Sequence, residues 1–181
     1  MIQQLIKLYM NSIIKKLFLA LFLITITAAN AQSSRFGITA GLMLANAKEE
    51  FSGNDFTSSD EGPYVGIYLD VPLTGKLSVR PEVDYANING SGFGFASVMA
   101  KYNLIPLLYV QAGPQISYLF EQFGEFNKAG IDFGVGAGVD ISKHFNIQAR
   151  YAFEITNRYK SRFEGTSKLN WLHIGVGYTF N

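Results

Sequence analysis

The chain of 181 residues has no cysteine, which excludes disulfide frameworks, thiolate metal sites and cysteine nucleophiles. Charge is scarce, at 16% of residues, and the formal net charge of +1 gives no basic surplus for nucleic acid. Two histidines leave few candidates for a general base. No run in residues 32–181 approaches 18 apolar residues, so no transmembrane helix is expected there. What the chain does contain is 48% hydrophobic and 14% aromatic residues with 18 glycines. With only five prolines, that composition argues against disorder and fits an all-β protein. The length allows one domain, or at most two small ones.

The first 31 residues read as an address. Lys15 and Lys16 precede the uncharged run Leu17 to Ala29, and Ala29-Asn30-Ala31 supplies a small-x-small cleavage pattern. A helix of that run would rise only about 20 Å, short of a ~30 Å hydrocarbon core. Cleavage is therefore expected after Ala31, with residues 32–181 as one barrel domain, and either Met1 or Met10 serves as the start. Of the 15 basic residues, Lys7, Lys15 and Lys16 lie in this segment, so the remainder carries twelve against fourteen acids, a net charge of −2.

Beyond it, one pattern recurs. About ten residues alternate apolar with polar or small ones, and turn residues follow, as in strands whose two faces differ. Ile131, Phe133, Val135, Ala137, Val139 and Ile141 oppose Asp132, Gly134, Gly136, Gly138, Asp140 and Ser142. Phe145 to Thr156, Leu77 to Tyr85 and Trp171 to Phe180 alternate as clearly. Weaker segments run from Arg35 to Ala45, Pro63 to Leu73, Phe95 to Leu104 and Leu107 to Phe120. The count of strands is eight. Tight connectors are expected at 72–76, 105–106 and 143–144, and longer ones at 46–62, 87–94, 121–130 and 157–168. Short turns on one side and long loops on the other, with strands of nine residues or more, predict an eight-stranded antiparallel up-and-down barrel in an outer membrane.

Facing follows from volume. Eight strands enclose a narrow interior, and a soluble exterior studded with Gly134, Gly136, Gly138, Gly175 and Gly177 would be weak strand. The aromatic and β-branched face is therefore expected toward lipid, with the glycines inside against larger neighbours such as Trp171, Tyr64 and Tyr68. Tyr102, Phe145, Tyr178 and Phe180 should form one aromatic girdle, and Tyr85, Tyr118, Phe120 and Phe153 the other.

The run Tyr64 to Asn87, YVGIYLDVPLTGKLSVRPEVDYAN, resembles the second hairpin of the PorT-like outer-membrane barrel family. Tyr109 to Tyr118, YVQAGPQISY, resembles its fifth strand, and the closing GVGYTF resembles an outer-membrane terminal strand. The resemblance spans most of residues 35–181. It implies insertion by the barrel-insertion machinery through the C-terminal strand, although Phe180 is here penultimate. It does not point to one activity.

Strand parity points Arg80, Glu82, Asp84, Lys101, Asp132, Asp140, Arg150 and Glu154 into the lumen. Unpaired charges in a low dielectric are costly, so an ion-pair network filling the barrel is expected, rather than a gated ion path. No catalytic residue is assigned. A serine deacylase would need His, Ser and an acid together on the lipid face, whereas His144 sits in a short turn and His173 points inward. The acids Glu49, Glu50, Asp55, Asp60 and Glu61 lack the spacing of a calcium loop, so no metal and no cofactor are expected. Arg158, Lys160, Arg162 and Lys168 are candidates for contact with lipopolysaccharide phosphates. Expected partners are outer-membrane lipid and lipopolysaccharide, with an envelope protein unidentified and nucleic acid excluded. The sequence thus predicts a non-enzymatic barrel that acts through its four longer loops in surface structure, adhesion or as a secretion accessory. A narrow solute channel is the alternative, and a lipid-modifying enzyme a lesser one.

Overall fold

A computed structural model describes residues 34–51, 54–121, 127–158 and 165–180. The expected leader, residues 1–31, lies outside the described residues, as do Lys160 and Arg162. The elements are β1 (Arg35–Phe51), β2 (Asn54–Pro72), β3 (Leu77–Ile88), β4 (Ser91–Asn103), β5 (Leu108–Leu119), β6 (Ala129–Asp140), β7 (Phe145–Glu154) and β8 (Gly165–Thr179). Each strand pairs antiparallel with its sequence neighbours, and β8 returns to β1, closing the barrel. Closure leaves the membrane-spanning part of the sheet without a free edge, the condition hydrocarbon imposes.

The alternation decides which side is out. Ile38, Leu42, Val65, Ile67, Val83, Val135, Ile147, Ile174 and Val176 are all exposed, while Met43, Tyr64, Tyr68, Met99, Tyr109 and Trp171 are buried inside. The aromatics gather at two levels. Phe36, Phe180, Tyr178, Phe145 and His144 form a chain of ring contacts near the short turns. Tyr85, Phe120 and Tyr118 do so at the opposite end. Val71 breaks the pattern: expected on the lipid side, it is buried where β2 enters its turn.

The short connectors occupy 73–76, 104–107 and 141–144. Two carry a hydroxyl that organises them. Thr74 Oγ1 accepts from the Lys76 and Leu77 amides, and Ser142 Oγ accepts from those of His144 and Phe145.

The opposite rim departs from expectation in two places. Residues 87–94 do not form a long loop; β3 and β4 are joined by Asn89 and Gly90 alone, at φ 50° and 83°. Positive φ at both central residues defines a type I′ turn, for which Asn-Gly is the favoured pair. Nor is 46–62 a loop. Pairing of β1 with β2 continues to Phe51↔Asn54, and β8 follows β1 up to Phe51↔Gly165. A three-stranded wall, β2-β1-β8, therefore rises above the rim set by the Asn89-Gly90 turn.

Candidate functional site: the filled lumen

The inward residues stack in three layers. Nearest the short turns, Arg80 grips Asp70 with two parallel bonds, Nε to Oδ1 and Nη2 to Oδ2, each 2.7 Å. Its Nη1 donates to Gln148 at 3.3 Å, and the guanidinium lies 4.2 Å from the Tyr68 ring centre. Lys101 lies 3.9 Å from Asp70 and 3.2 Å from Asp140, with its ammonium over the Tyr109 ring. Arg35, at 3.8 Å, adds a half-exposed cation to Asp70. Bidentate geometry and ring stacking suit arginine's planar fork.

In the middle layer one cation meets two acids. Arg150 Nη2 lies 3.0 Å from Glu82 and 3.2 Å from Asp84, and 3.1 Å from His173 Nδ1. His173 is wedged between the rings of Tyr64 and Phe95. All these groups are buried.

The third layer closes the long-loop end. Arg158 donates Nε to Glu154 at 2.9 Å and Nη2 to Ser117 at 2.6 Å, and reaches the Lys128 carbonyl at 3.4 Å. Glu154 also accepts from the Leu169 amide and from Thr156. Beneath lies an aromatic cluster in which Trp171 meets Phe93 and Phe95 edge-on at 5.1 and 4.9 Å. Asp132 accepts from Gln115 at 3.2 Å.

Glycine makes room for this filling. Gly37 stands directly opposite Tyr68 and Gly138 opposite Tyr109 in the register, and each ring lies over the bare Cα. A Cβ at either would collide with the ring, and one at Gly175 with the Tyr64 hydroxyl.

The eight predicted network residues thus all line the interior, though not as one unit. Arg80 and Lys101 belong to the first layer, with Asp140 at its partly open edge. Glu82, Asp84 and Arg150 form the second, and Glu154 joins the third. Asp132 is held by an amide rather than a cation. Sequence reasoning missed Asp70, the hub of the first layer. Strand parity could have found it, because it sits between Leu69 and Val71. Arg158 requires a correction. Expected at the surface for phosphate contact, it is fully buried and folded back onto Glu154 four residues earlier. Otherwise Glu154 would be a buried acid with no cation. Lys168 is exposed, opposite Lys48 across the β1–β8 pair.

Comparison with known proteins agrees with this architecture. The family model described as "Outer membrane protein beta-barrel domain" matches residues 17–180. No curated protein matches the chain. Among solved structures, the attachment invasion locus protein Ail of Yersinia pestis is similar at 14% identity, covering 82% of this chain and 100% of that one, with a TM-score of 0.48. Neisserial surface protein A is similar at 14% identity, with the same coverage of 82% and 100% and a TM-score of 0.49. OprG of Pseudomonas aeruginosa is similar at 13% identity, covering 83% and 97%, with a TM-score of 0.46.

Proposed function

The chain belongs to the outer membrane protein beta-barrel domain family, and from that membership we propose a non-conducting, non-enzymatic barrel whose working surface is its long-loop end. Within the family we place it with the PorT-like proteins, on the hairpin Tyr64 to Asn87. The carrying observation is the filled lumen: three layers of buried ion pairs and rings with arginines at their centres. A conducting pore would keep such charges wet, whereas Arg80, Arg150 and Arg158 each have a carboxylate oxygen within 3.0 Å. β1 begins and β8 ends beside the short turns, where Gly37 pairs with Thr179, an arrangement that suits a taller wall facing outward from the cell. Surface structure or adhesion is the role this geometry suits. Lys168 and Lys48 stand together on the outward face of the wall, placed to meet lipopolysaccharide phosphates.

The enzymatic alternative finds little support. His144 Nδ1 lies 3.1 Å from the Thr179 carbonyl in the short-turn region, and His173 is buried against Arg150. His173 does not reach the lipid face, and His144 meets the outer aromatics only at the short-turn rim, stacked on Tyr178.

Planar-bilayer recording of the purified barrel tests the reading against the channel alternative. The expected result is no discrete conductance steps. Stable steps that vanish when a bulky residue replaces Gly134 would overturn it.

A further inference from the structure

The protruding wall has two edges, and they are treated differently. On the β8 side the chain caps its own backbone: the Arg158 amide donates to the Ser167 carbonyl, and Asn157 Oδ1 accepts from the Ser167 amide. On the β2 side, pairing with β3 runs from Tyr64↔Ala86 downward, and β3 stops short at Ile88 because of the Asn89-Gly90 turn. Among the described residues, the backbone of 54–61 pairs only with β1. Eight residues at about 3.3 Å each give roughly 27 Å of edge without a second backbone partner among the described residues, with Asn89 of the turn at its foot, donating Nδ2 to Asp60 Oδ1 at 3.3 Å.

The register says which groups that edge presents. The Phe180 amide bonds to the Phe36 carbonyl, so even-numbered residues of β1 direct their backbone groups to β8, and odd-numbered ones to β2. Across the unbroken β1–β2 register, even-numbered residues of β2 then face β1 and odd-numbered ones face away. The Leu73 amide bonding to Leu77 on the β3 side agrees. Asp55, Thr57 and Ser59 therefore each hold out an amide donor and a carbonyl acceptor.

Open edges are ordinarily guarded by lysine, proline or a bulge. The segment Asn54 to Glu61, NDFTSSDE, contains no lysine or proline, and its pairing shows no bulge. It carries three acids and no cation. Two such edges from neighbouring copies would bring like charges together, which disfavours self-pairing.

We propose that the outer edge of β2, residues 54–61, is a docking strand for an extended, lysine- or arginine-bearing segment of another protein, which adds to the sheet through main-chain hydrogen bonds. This rests on the surface-role reading above and names its partner chemistry. Backbone bonds give the affinity, while Asp60 and Glu61, both exposed, select for positive charge.

The test uses the full barrel in nanodiscs of zwitterionic lipid and a fluorescent eight-residue peptide alternating lysine and threonine. Its twin is N-methylated at every second residue. Anisotropy should show saturable binding that falls at least tenfold for the N-methylated twin, and likewise for Thr57→Pro with the unmodified peptide. Thr57→Pro removes an outward amide without touching the β1–β2 bonds. An alternating glutamate–threonine peptide should bind more weakly than the lysine one. Absent binding, or equal affinity for the two lysine peptides, would overturn the proposal; the peptide pair decides even if the proline variant does not fold. Conductance of the same sample separates the two readings: a silent barrel that ignores the peptide loses only the docking edge, and a conducting barrel that binds it loses only the filled lumen.

Discussion

Replacing Arg80 with methionine measures how dry the lumen is. The guanidinium is fully buried, holds Asp70 through two 2.7 Å bonds, and donates a third to Gln148. Methionine approximates the volume, so the main loss is charge. Asp70 would keep Lys101 at 3.9 Å and a half-exposed Arg35 at 3.8 Å, neither within hydrogen-bonding distance. Breaking a buried pair from one side costs about 3–5 kcal/mol. The lost stacking on Tyr68, at 4.2 Å, adds about 0.5–2 kcal/mol. The two residual cations oppose these losses, so the expected destabilisation is about 3–4 kcal/mol. Had water filled the barrel, the same pair would be worth about 0–1 kcal/mol. The assay is reversible urea unfolding in lipid vesicles followed by the emission of Trp171, the one tryptophan in the chain. Pairing Arg80→Met with Asp70→Asn should restore much of the loss, because the stranded charge goes with its partner. A single-variant cost under 1 kcal/mol, or strictly additive effects in the double variant, would refute the dry-lumen argument.

Three further outcomes follow from the same geometry. Val135→Arg places a cation on the lipid face midway along β6 and should cost about 2–4 kcal/mol, with unchanged stability in the same urea assay counting against the facing. Gly136→Val should lower stability by about 1–3 kcal/mol or more for a different reason: its Cβ would meet the Ala149 carbonyl of the neighbouring strand, which is backbone and cannot step aside. Trp171, enclosed by Phe93 and Phe95, should keep its emission when the barrel is moved into brominated lipid, since such quenching needs contact; strong quenching would show that the ring faces acyl chains.

The extent to which the sequence disclosed this structure depends on where the membrane is. Within the hydrocarbon, one face of each strand must be apolar and the other is free to vary, so the alternation in Phe145 to Thr156 or Ile131 to Ser142 declares strand, facing and lumen charges at once. Above the rim both faces are wet. Lys48, Thr57, Ser58, Ser59 and Asp60 show no alternation, and the long pairing of β1 with β2 was illegible for that reason. The Asn89-Gly90 turn was readable from its dipeptide alone, yet was submerged in a polar stretch that suggested a loop. Arg158 shows the opposite limit. A cation in a polar, basic loop looks solvated; Glu154 lies only four residues away, but the interior that buries the pair together with Ser117 of β5 is built by strands far apart in the chain. Asp70 was within reach of strand parity, but its role as a hub depends on Arg80 and Lys101 from two other strands.

The slanted rim gives the barrel a front and a back. Epitopes or affinity tags grafted between Asn89 and Gly90 would sit close to the headgroups, screened by the surrounding carbohydrate. The same graft at the β1–β2 tip would sit roughly eight residues further along the strand, about 20 Å further from the cell at a strand tilt of about 40°. An antibody or phage that approaches intact bacteria should therefore find the tip and overlook the low side.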